Sequence, residues 1–339
     1  MRICLSHVLR SVLIVTLLAT TAVQAAEKRN LIIDTDPGAD DVVALLLAMA
    51  SPDELNLLAI TTVAGNVRID KTSRNARLAR EWAGRDDVPV YAGAGKPLVR
   101  TPIYAENIHG NEGLPGVEVY EPRHGLAAGN AVQYLIDTLS KAEPHSITVA
   151  MLGPQTNLAL ALIQKPDITQ GIKEVVVMGG AHFNGGNITP VAEFNIYADP
   201  DAAKVVLASG VKLTYVPLDV THKVLTSEAR LQQIEALNNQ AGKRVGAILN
   251  EYVKADMVHY GLPGGPVHDA SVIAWLLKPE LFSGRQIHVA IDNREGLGMG
   301  QTVADWYDTL KQDKNVFWIE TGDAQGFFDL LTERLKRLK

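Results

Sequence analysis

The chain has 339 residues, with 38 acidic and 32 basic side chains, a formal net charge of −6 and a single cysteine. That acidic balance speaks against a nucleic-acid surface built from basic patches, and one cysteine excludes a disulfide framework. Arg2 and Arg10 precede an apolar segment over residues 11–23 that closes in Val23-Gln24-Ala25, the pattern of a secretory signal peptide over residues 1–25. The segment is short for a membrane span, which needs ~20 residues. Its cleavage removes Cys4 and makes the chain two charge units more acidic, so residues 26–339 carry no thiol ligand or nucleophile. A periplasmic or secreted protein is expected. No Gly/Ser linker, low-complexity tract or repeat divides residues 26–339, which reads as a single domain.

In chain order, the apolar run Leu31-Ile32-Ile33 predicts a strand that leads into Asp34-Thr35-Asp36-Pro37-Gly38-Ala39-Asp40-Asp41. A helix follows over residues 40–50, apolar on nearly every side and therefore deeply buried, and Ser51-Pro52 stops it. Residues 57–63 read as a strand closing in Ala64-Gly65-Asn66, and residues 70–82 as a helix with a basic outer face. This alternation predicts parallel βαβ units: an α/β fold, Rossmann-like, with a mostly parallel central sheet flanked by helices. A short strand over 88–91 gives way to a long Gly- and Pro-rich stretch over 92–129 that contains His109; loops of that length are usually functional or mobile. A helix over 131–141, a strand over 146–152 ending in Gly153-Pro154, a helix over 156–163 and a strand over 174–178 come next.

The glycine-rich loop over 179–187 is neither a Walker loop nor a dinucleotide fingerprint, because no Gly-Lys-Ser/Thr follows it and it does not open directly into a helix. Residues 191–196 alternate small or apolar with polar side chains. Asp199-Pro200 caps a helix running to Gly210, with Pro200 at the first helical position. A strand over 212–218 and helices over 226–237, 245–258 and 270–277 follow, the last behind His268-Asp269. Asp caps a helix start well, whereas His gains nothing from the positive end of the dipole. Late strands over 286–292 and 316–320 read as edge hairpin material, and a helix over 327–338 closes the chain.

Four carboxylates in eight residues repel one another unless they are solvated or wrapped around a cation. Their flanks place them at a strand-to-helix junction, where open α/β sheets keep their ligand sites. Any one of these Asp residues alone reads as an N-cap or a solvated loop residue; together with Asp269 they read as a site. Oxygen ligands without sulfur or paired imidazoles select a hard cation, Ca²⁺ before Mg²⁺ or Mn²⁺. Such an ion lowers the pKa of a bound water, and a neighbouring carboxylate can take the proton. The Asp-x-Asp spacing is also similar to that of haloacid-dehalogenase-like phosphatases, in which Asp34 would be the nucleophile, but the Thr/Val expected after the second Asp is missing, as is a convincing later Lys and acidic pair.

The stronger resemblance is to the inosine-uridine-preferring nucleoside hydrolase family, whose D-x-D-P-G-x-D-D signature residues 34–41 spell. Val63-Ala64-Gly65-Asn66, His109-Gly110, Leu152-Gly153-Pro154-Gln155-Thr156-Asn157, Val177-Met178-Gly179-Gly180, Asn187, Glu193-Phe194-Asn195 and Val267-His268-Asp269 are similar to the family's motifs in the family's order. The resemblance implies hydrolysis of the N-glycosidic bond of ribonucleosides to free base and ribose. It implies Ca²⁺ held by Asp36, Asp41, Asp269 and the Leu152 carbonyl, with Asp36 as the base that activates water and His268 as an acid toward the leaving base. Asp40, Asn66, Asn187, Glu193 and Asn195 would hold the ribose hydroxyls, Met178 would line the sugar pocket, and Asp34 would support the others. His109 is a polar candidate at the base, and Tyr252, His259 and Tyr260 could stack on or bond to it; base preference stays open. The resemblance also implies a homodimer or homotetramer acting in purine or pyrimidine salvage. A secreted Ca²⁺-dependent nucleoside-binding protein without turnover is the non-enzymatic alternative.

Overall fold

The β-branched run at the start of the described chain forms β1 (Arg29–Thr35), and the acidic octapeptide turns from it into α1 (Ala39–Met49), every residue of which is buried. The computed structural model describes residues 28–339. The expected signal peptide lies outside them, and the side chains of His259 and Tyr260 are likewise outside the described set. The chain continues through β2 (Leu55–Thr62), α2 (Ile69–Trp82), β3 (Val90–Ala92), α3 (Glu106–His109), α4 (Ala131–Lys141), β4 (Ile147–Met151), α5 (Thr156–Gln164) and β5 (Ile172–Met178). Two short helices, α6 (Phe194–Ala198) and α7 (Pro200–Leu207), lead to β6 (Leu213–Val216) and to the single turn α8 (Leu218–Thr221). A two-residue strand, β7 (Leu225–Thr226), precedes α9 (Glu228–Glu235) and α10 (Gln240–Tyr260), and pairs antiparallel with β8 (Gly265–Pro266). The last elements are α11 (His268–Leu277), β9 (Phe282–Ile291), β10 (Thr302–Asp305), β11 (Val316–Gly322) and α12 (Ala324–Leu335).

Nine strands form one sheet in the order β10-β9-β11-β6-β5-β4-β1-β2-β3. From β11 to β3 every neighbouring pair is parallel, and only β9 runs against the rest, pairing antiparallel with both β11 and β10. The expected α/β sheet is therefore present, with an antiparallel margin. Alternation along β1 divides the core: Leu31 and Ile33 pack with α1, α11 and α12 on one face, while Ile32 packs with residues of α4, α5 and α7 on the other. Chain order reverses between β1 and β4, so their carboxyl ends diverge over a crevice, which is where open α/β sheets take ligands. Among the described residues no helix is long and apolar enough to cross a membrane.

Several expectations are corrected. The strand near 316–320 is not edge material: β11 lies inside the sheet, parallel to β6, and the edge is β10, four residues too short to give a periodic signal. Residues 191–196, whose alternation left their structure open, contain the start of α6, which Glu193 caps with its own carboxylate. The strand expected over 212–218 ends at Val216, and Pro217 opens α8 instead.

Candidate active site

Asp36 leaves the carboxyl end of β1, and its carboxylate occupies space that two glycines vacate. A Cβ on Gly65 would stand 2.0 Å from Asp36 Oδ2, and one on Gly153 would stand 2.3 Å from Oδ1. Both residues follow strands flanking β1, so the glycines of Ala64-Gly65-Asn66 and Leu152-Gly153-Pro154 form a slot cut for this one side chain. Asn66 N–H donates to Oδ2 at 2.7 Å, while Oδ1 is buried without a hydrogen-bond partner among the described residues. Asp34, one residue inside the end of β1, is engaged elsewhere. Its Oδ2 accepts from Thr61 Oγ1 (2.6 Å) and Asn157 Nδ2 (2.8 Å), it does not line the cavity described below, and burial pushes its carboxyl up to about 7. That placement removes Asp34 as a phosphatase nucleophile and leaves it supporting the strand end.

Asp40 and Asp41 occupy the first turn of α1, where the helix dipole favours negative charge. Asp41 is tightly held: it accepts from Thr35 Oγ1 (2.5 Å), the backbone N–H groups of Gly38 (3.0 Å) and Asp36 (3.3 Å), and Asn66 Nδ2 (2.9 Å). Asp269, in the first turn of α11, comes to the same place from the far end of the chain; its N–H donates to Asp40 Oδ2 at 3.4 Å. Oxygens of Asp40, Asp41 and Asp269 lie within 4.8 Å of one another and form an acidic group able to hold a metal ion. Burial pushes Asp36 well above the usual carboxylate range, and the charges of Asp41 and Asp40 add to it. Burial raises Asp269 too, and then the charges of Asp40, Asp41 and Asp36. A hard cation relieves both effects at once, and the all-oxygen donor set with an unpartnered Asp36 Oδ1 suits one.

Above this cluster opens a cavity of about 190 Å³. Asp40, Asn66, His109, Leu152, Met178, Asn187, Glu193, Asn195, Tyr252, His268 and Asp269 line it, together with Ala105, Asn107, Ile108, Ile188 and Phe194. Almost every residue singled out in the sequence thus meets at one crevice. Asp36 and Asp41 do not reach the wall; they sit behind it and are joined to it through Asn66. The residues that sequence reasoning missed include Asn107 and Ile108, in the single turn α3 that a Gly- and Pro-rich stretch conceals, and Ile188, in the loop around Asn187; composition signalled a functional segment in both places without naming its contact residues.

The wall away from the cluster is pre-ordered. Glu193 accepts from the N–H groups of Asn195 (2.9 Å), Ile196 (3.1 Å) and Gly180 (3.2 Å), and burial pushes it up to about 7 against those bonds. Asn195 Nδ2 donates to the carbonyls of Leu152 (2.7 Å) and Met178 (3.2 Å), and Asn187 Oδ1 accepts from Phe194 N–H (2.8 Å). Two imidazoles face the same space. His109 accepts the Ala39 N–H on Nδ1 (3.1 Å), which places its hydrogen on Nε2; burial holds it near a pKa of about 3. This approach requires Gly38, whose Cβ would lie 2.4 Å from that nitrogen. The His109 and Tyr252 rings lie 5.3 Å apart. His268, 7% exposed, meets Thr221 Oγ1 at 2.7 Å through Nδ1, and burial, with His222 and His109 adding to it, pushes it well below the ordinary histidine range.

Comparison with known proteins bears on this arrangement. A family model described as inosine-uridine preferring nucleoside hydrolase matches residues 31–329. An uncharacterized protein of Schizosaccharomyces pombe is 47% identical over 91% of this chain and 99% of its own length. The pyrimidine-specific ribonucleoside hydrolase RihA of Salmonella schwarzengrund is 43% identical over 90% of this chain and 98% of its own. Among solved structures, a purine-preferring ribonucleoside hydrolase from Gardnerella vaginalis superposes with a TM-score of 0.84 at 31% identity, covering 91% of this chain and 98% of that one.

Proposed function

The chain belongs to the inosine-uridine preferring nucleoside hydrolase family, and from that premise we propose that it cleaves ribonucleosides, pyrimidine ribonucleosides foremost, to free base and ribose with Ca²⁺ as its cofactor. It is a ribonucleoside hydrolase acting on an N-glycosyl bond. The observation that carries the rest is the convergence of Asp40, Asp41 and Asp269 beneath a cavity whose opposite wall offers Asn187, Glu193 and Asn195. The pyrimidine preference rests on the name of the Salmonella relative at 43% identity.

Ca²⁺ would be held by Asp36, Asp41, Asp269 and the Leu152 carbonyl. Bound there, it supplies Lewis acidity toward a water and toward the sugar hydroxyls. Asp36, whose Oδ1 has no hydrogen-bond partner among the described residues, takes the proton of the attacking water. Asp40, Asn66, Asn187, Glu193 and Asn195 hydrogen-bond the ribose hydroxyls, and Met178 closes the sugar pocket. Breaking the bond to the base develops positive charge on the sugar, and buried carboxylates beside it stabilise that charge where no water screens it. His268 and His109 serve the departing base, with Tyr252 beside His109. A site built on hydroxyl contacts discriminates against a sugar lacking one by ~10⁴-fold or more, so 2′-deoxyribonucleosides are poor substrates. Residues 1–25 act as an export signal in this reading, the mature domain works in the periplasm or outside the cell, and it assembles as a homodimer or homotetramer.

The test incubates purified protein with cytidine, uridine, inosine, 2′-deoxycytidine and a phosphate ester, with and without a chelator, and follows base, ribose and phosphate. Release of pyrimidine base and ribose, abolished by chelation and restored by Ca²⁺, is the expected result. Tight binding without base release would leave only the nucleoside-binding alternative, and restoration by another ion alone would refute Ca²⁺.

A further inference from the structure

The single turn α8 carries no residue of the cavity wall, yet it touches two parts of the site. All four of its residues are buried. Leu218 N–H donates to the Gly180 carbonyl at 2.9 Å, so the turn is joined to the glycine-rich loop at its start. At its other end the Thr221 hydroxyl, on a residue with no exposed surface, meets His268 Nδ1 at 2.7 Å. Thr221 and His268 are 47 residues apart in sequence and belong to different elements, so this contact is tertiary and not a by-product of local turn geometry.

A neutral imidazole has one donor and one acceptor nitrogen, and the partner of one determines the role of the other. The Pro217 carbonyl, which a threonine at the end of this turn could otherwise use, already accepts the N–H groups of Val220 and Thr221. Among the described residues Nδ1 is the one acceptor found within hydrogen-bond reach of the hydroxyl. Were Nδ1 to carry the ring hydrogen, the hydroxyl would have to accept it and a buried O–H would be left without a partner, which buried polar groups avoid. The hydroxyl therefore donates, Nδ1 accepts, and the ring hydrogen lies on Nε2, the nitrogen with which the ring can serve a ligand in the cavity.

We propose that Thr221 is a positioning residue for the reaction: its hydroxyl holds the His268 ring in place and in the Nε2–H form, so that Nε2–H hydrogen-bonds the departing base as the bond to ribose breaks. This role rests on the hydrolase reading above. It makes Thr221 specific to leaving groups that need a hydrogen-bond donor. A p-nitrophenolate, stable as an anion, needs none.

The experiment compares wild type, Thr221→Val and Thr221→Ser on cytidine and on p-nitrophenyl riboside. Val keeps the shape and removes the hydroxyl; Ser restores it. The expected result is a loss of about 10-fold or more in kcat on cytidine for Thr221→Val, part of the ~10²–10⁴ a positioned proton donor contributes, with p-nitrophenyl riboside turnover within twofold of wild type and Thr221→Ser near wild type on both. Retained p-nitrophenyl riboside turnover also shows that the variant folds. Equal losses on the two substrates would overturn the proposal in favour of a structural role, and unchanged cytidine turnover would overturn it outright. A wild type that cleaves neither substrate would overturn the hydrolase reading and this role with it, an outcome distinct from both. Independently of turnover, nitrogen-15 histidine spectra, with His268 assigned by its loss in His268→Gln, are expected to show Nε2–H in wild type and a mixture of forms in Thr221→Val; Nδ1–H in wild type would overturn the assignment.

Discussion

Asp219→Ala should be among the most damaging substitutions outside the cavity wall. Asp219 is 1% exposed and serves as acceptor for four N–H groups. Its Oδ1 takes the backbone donors of His182 (3.3 Å), Phe183 (2.8 Å) and Asn184 (2.9 Å), and its Oδ2 takes the indole of Trp318 (3.0 Å). Alanine removes all four. The loop donors are only partly buried and can find water, but Trp318 has no exposed surface, so its N–H is left unsatisfied at a cost of ~1–3 kcal/mol. Adding the weakened loop bonds gives a total of about 3–5 kcal/mol, at the upper end for single substitutions. The assay is equilibrium urea unfolding, reading the midpoint at constant slope. Asp219→Asn, which keeps a carbonyl oxygen for the loop but can present an amide to the indole, should lose about half as much. Because the loop delivers Asn187 to the cavity, the KM for ribonucleosides should rise in whatever fraction stays folded. A stability loss under about 1 kcal/mol for Asp219→Ala would refute the view that this carboxylate anchors the loop.

Gly153→Ala puts a methyl 2.3 Å from Asp36 Oδ1; a displacement of the order of 1 Å costs about 100-fold in rate, and a kcat within threefold of wild type would contradict the slot. His109 gives a pH test. Its pKa falls from an ordinary 6.5 to about 3 on burial, so between those values the unfolded chain binds the extra proton and wild type loses stability as pH falls, by about 1.4 kcal/mol per unit. His109→Asn, which keeps an acceptor for the Ala39 N–H, should be flatter from pH 6.5 downward in urea titrations; parallel curves would show that the ring is protonated in the fold. Arg334 pairs with Glu54 at 2.7 and 3.0 Å and ties α12 to the turn after α1. Glu54 is 42% exposed, so Arg334→Met should cost only about 1 kcal/mol and be partly mimicked by salt; a loss unaffected by salt would point to packing instead.

Much of the site was legible because its parts are local. Residues 34–41 carry their own strand-turn-helix geometry, and Val267-His268-Asp269 sits at a helix start that the apolar run behind it makes plain. The crevice follows once the alternating units form an open sheet covered by helices on both faces, since right-handed crossovers then require the strand order to reverse. What escaped the sequence is what depends on contacts between distant elements. The place of β11 inside the sheet is set by its pairing with β6, which no pattern within residues 316–322 encodes. Thr221 and Asp219 lie in a turn too short to have a period, and their partners are 47 and 99 residues away. Asp36 was expected at the cavity and is found behind Asn66, because the two glycines that admit it also bury it.

The most direct measurement runs cytidine with the Ca²⁺-loaded protein in oxygen-18 water and follows both products by mass spectrometry. Equimolar cytosine and ribose, with one heavy oxygen on the ribose and none on the base, is the predicted result, and Asp36→Asn should remove most of it. Heavy oxygen in the base, or cytidine returned unchanged by a protein that binds it, would contradict hydrolysis at the N-glycosidic bond.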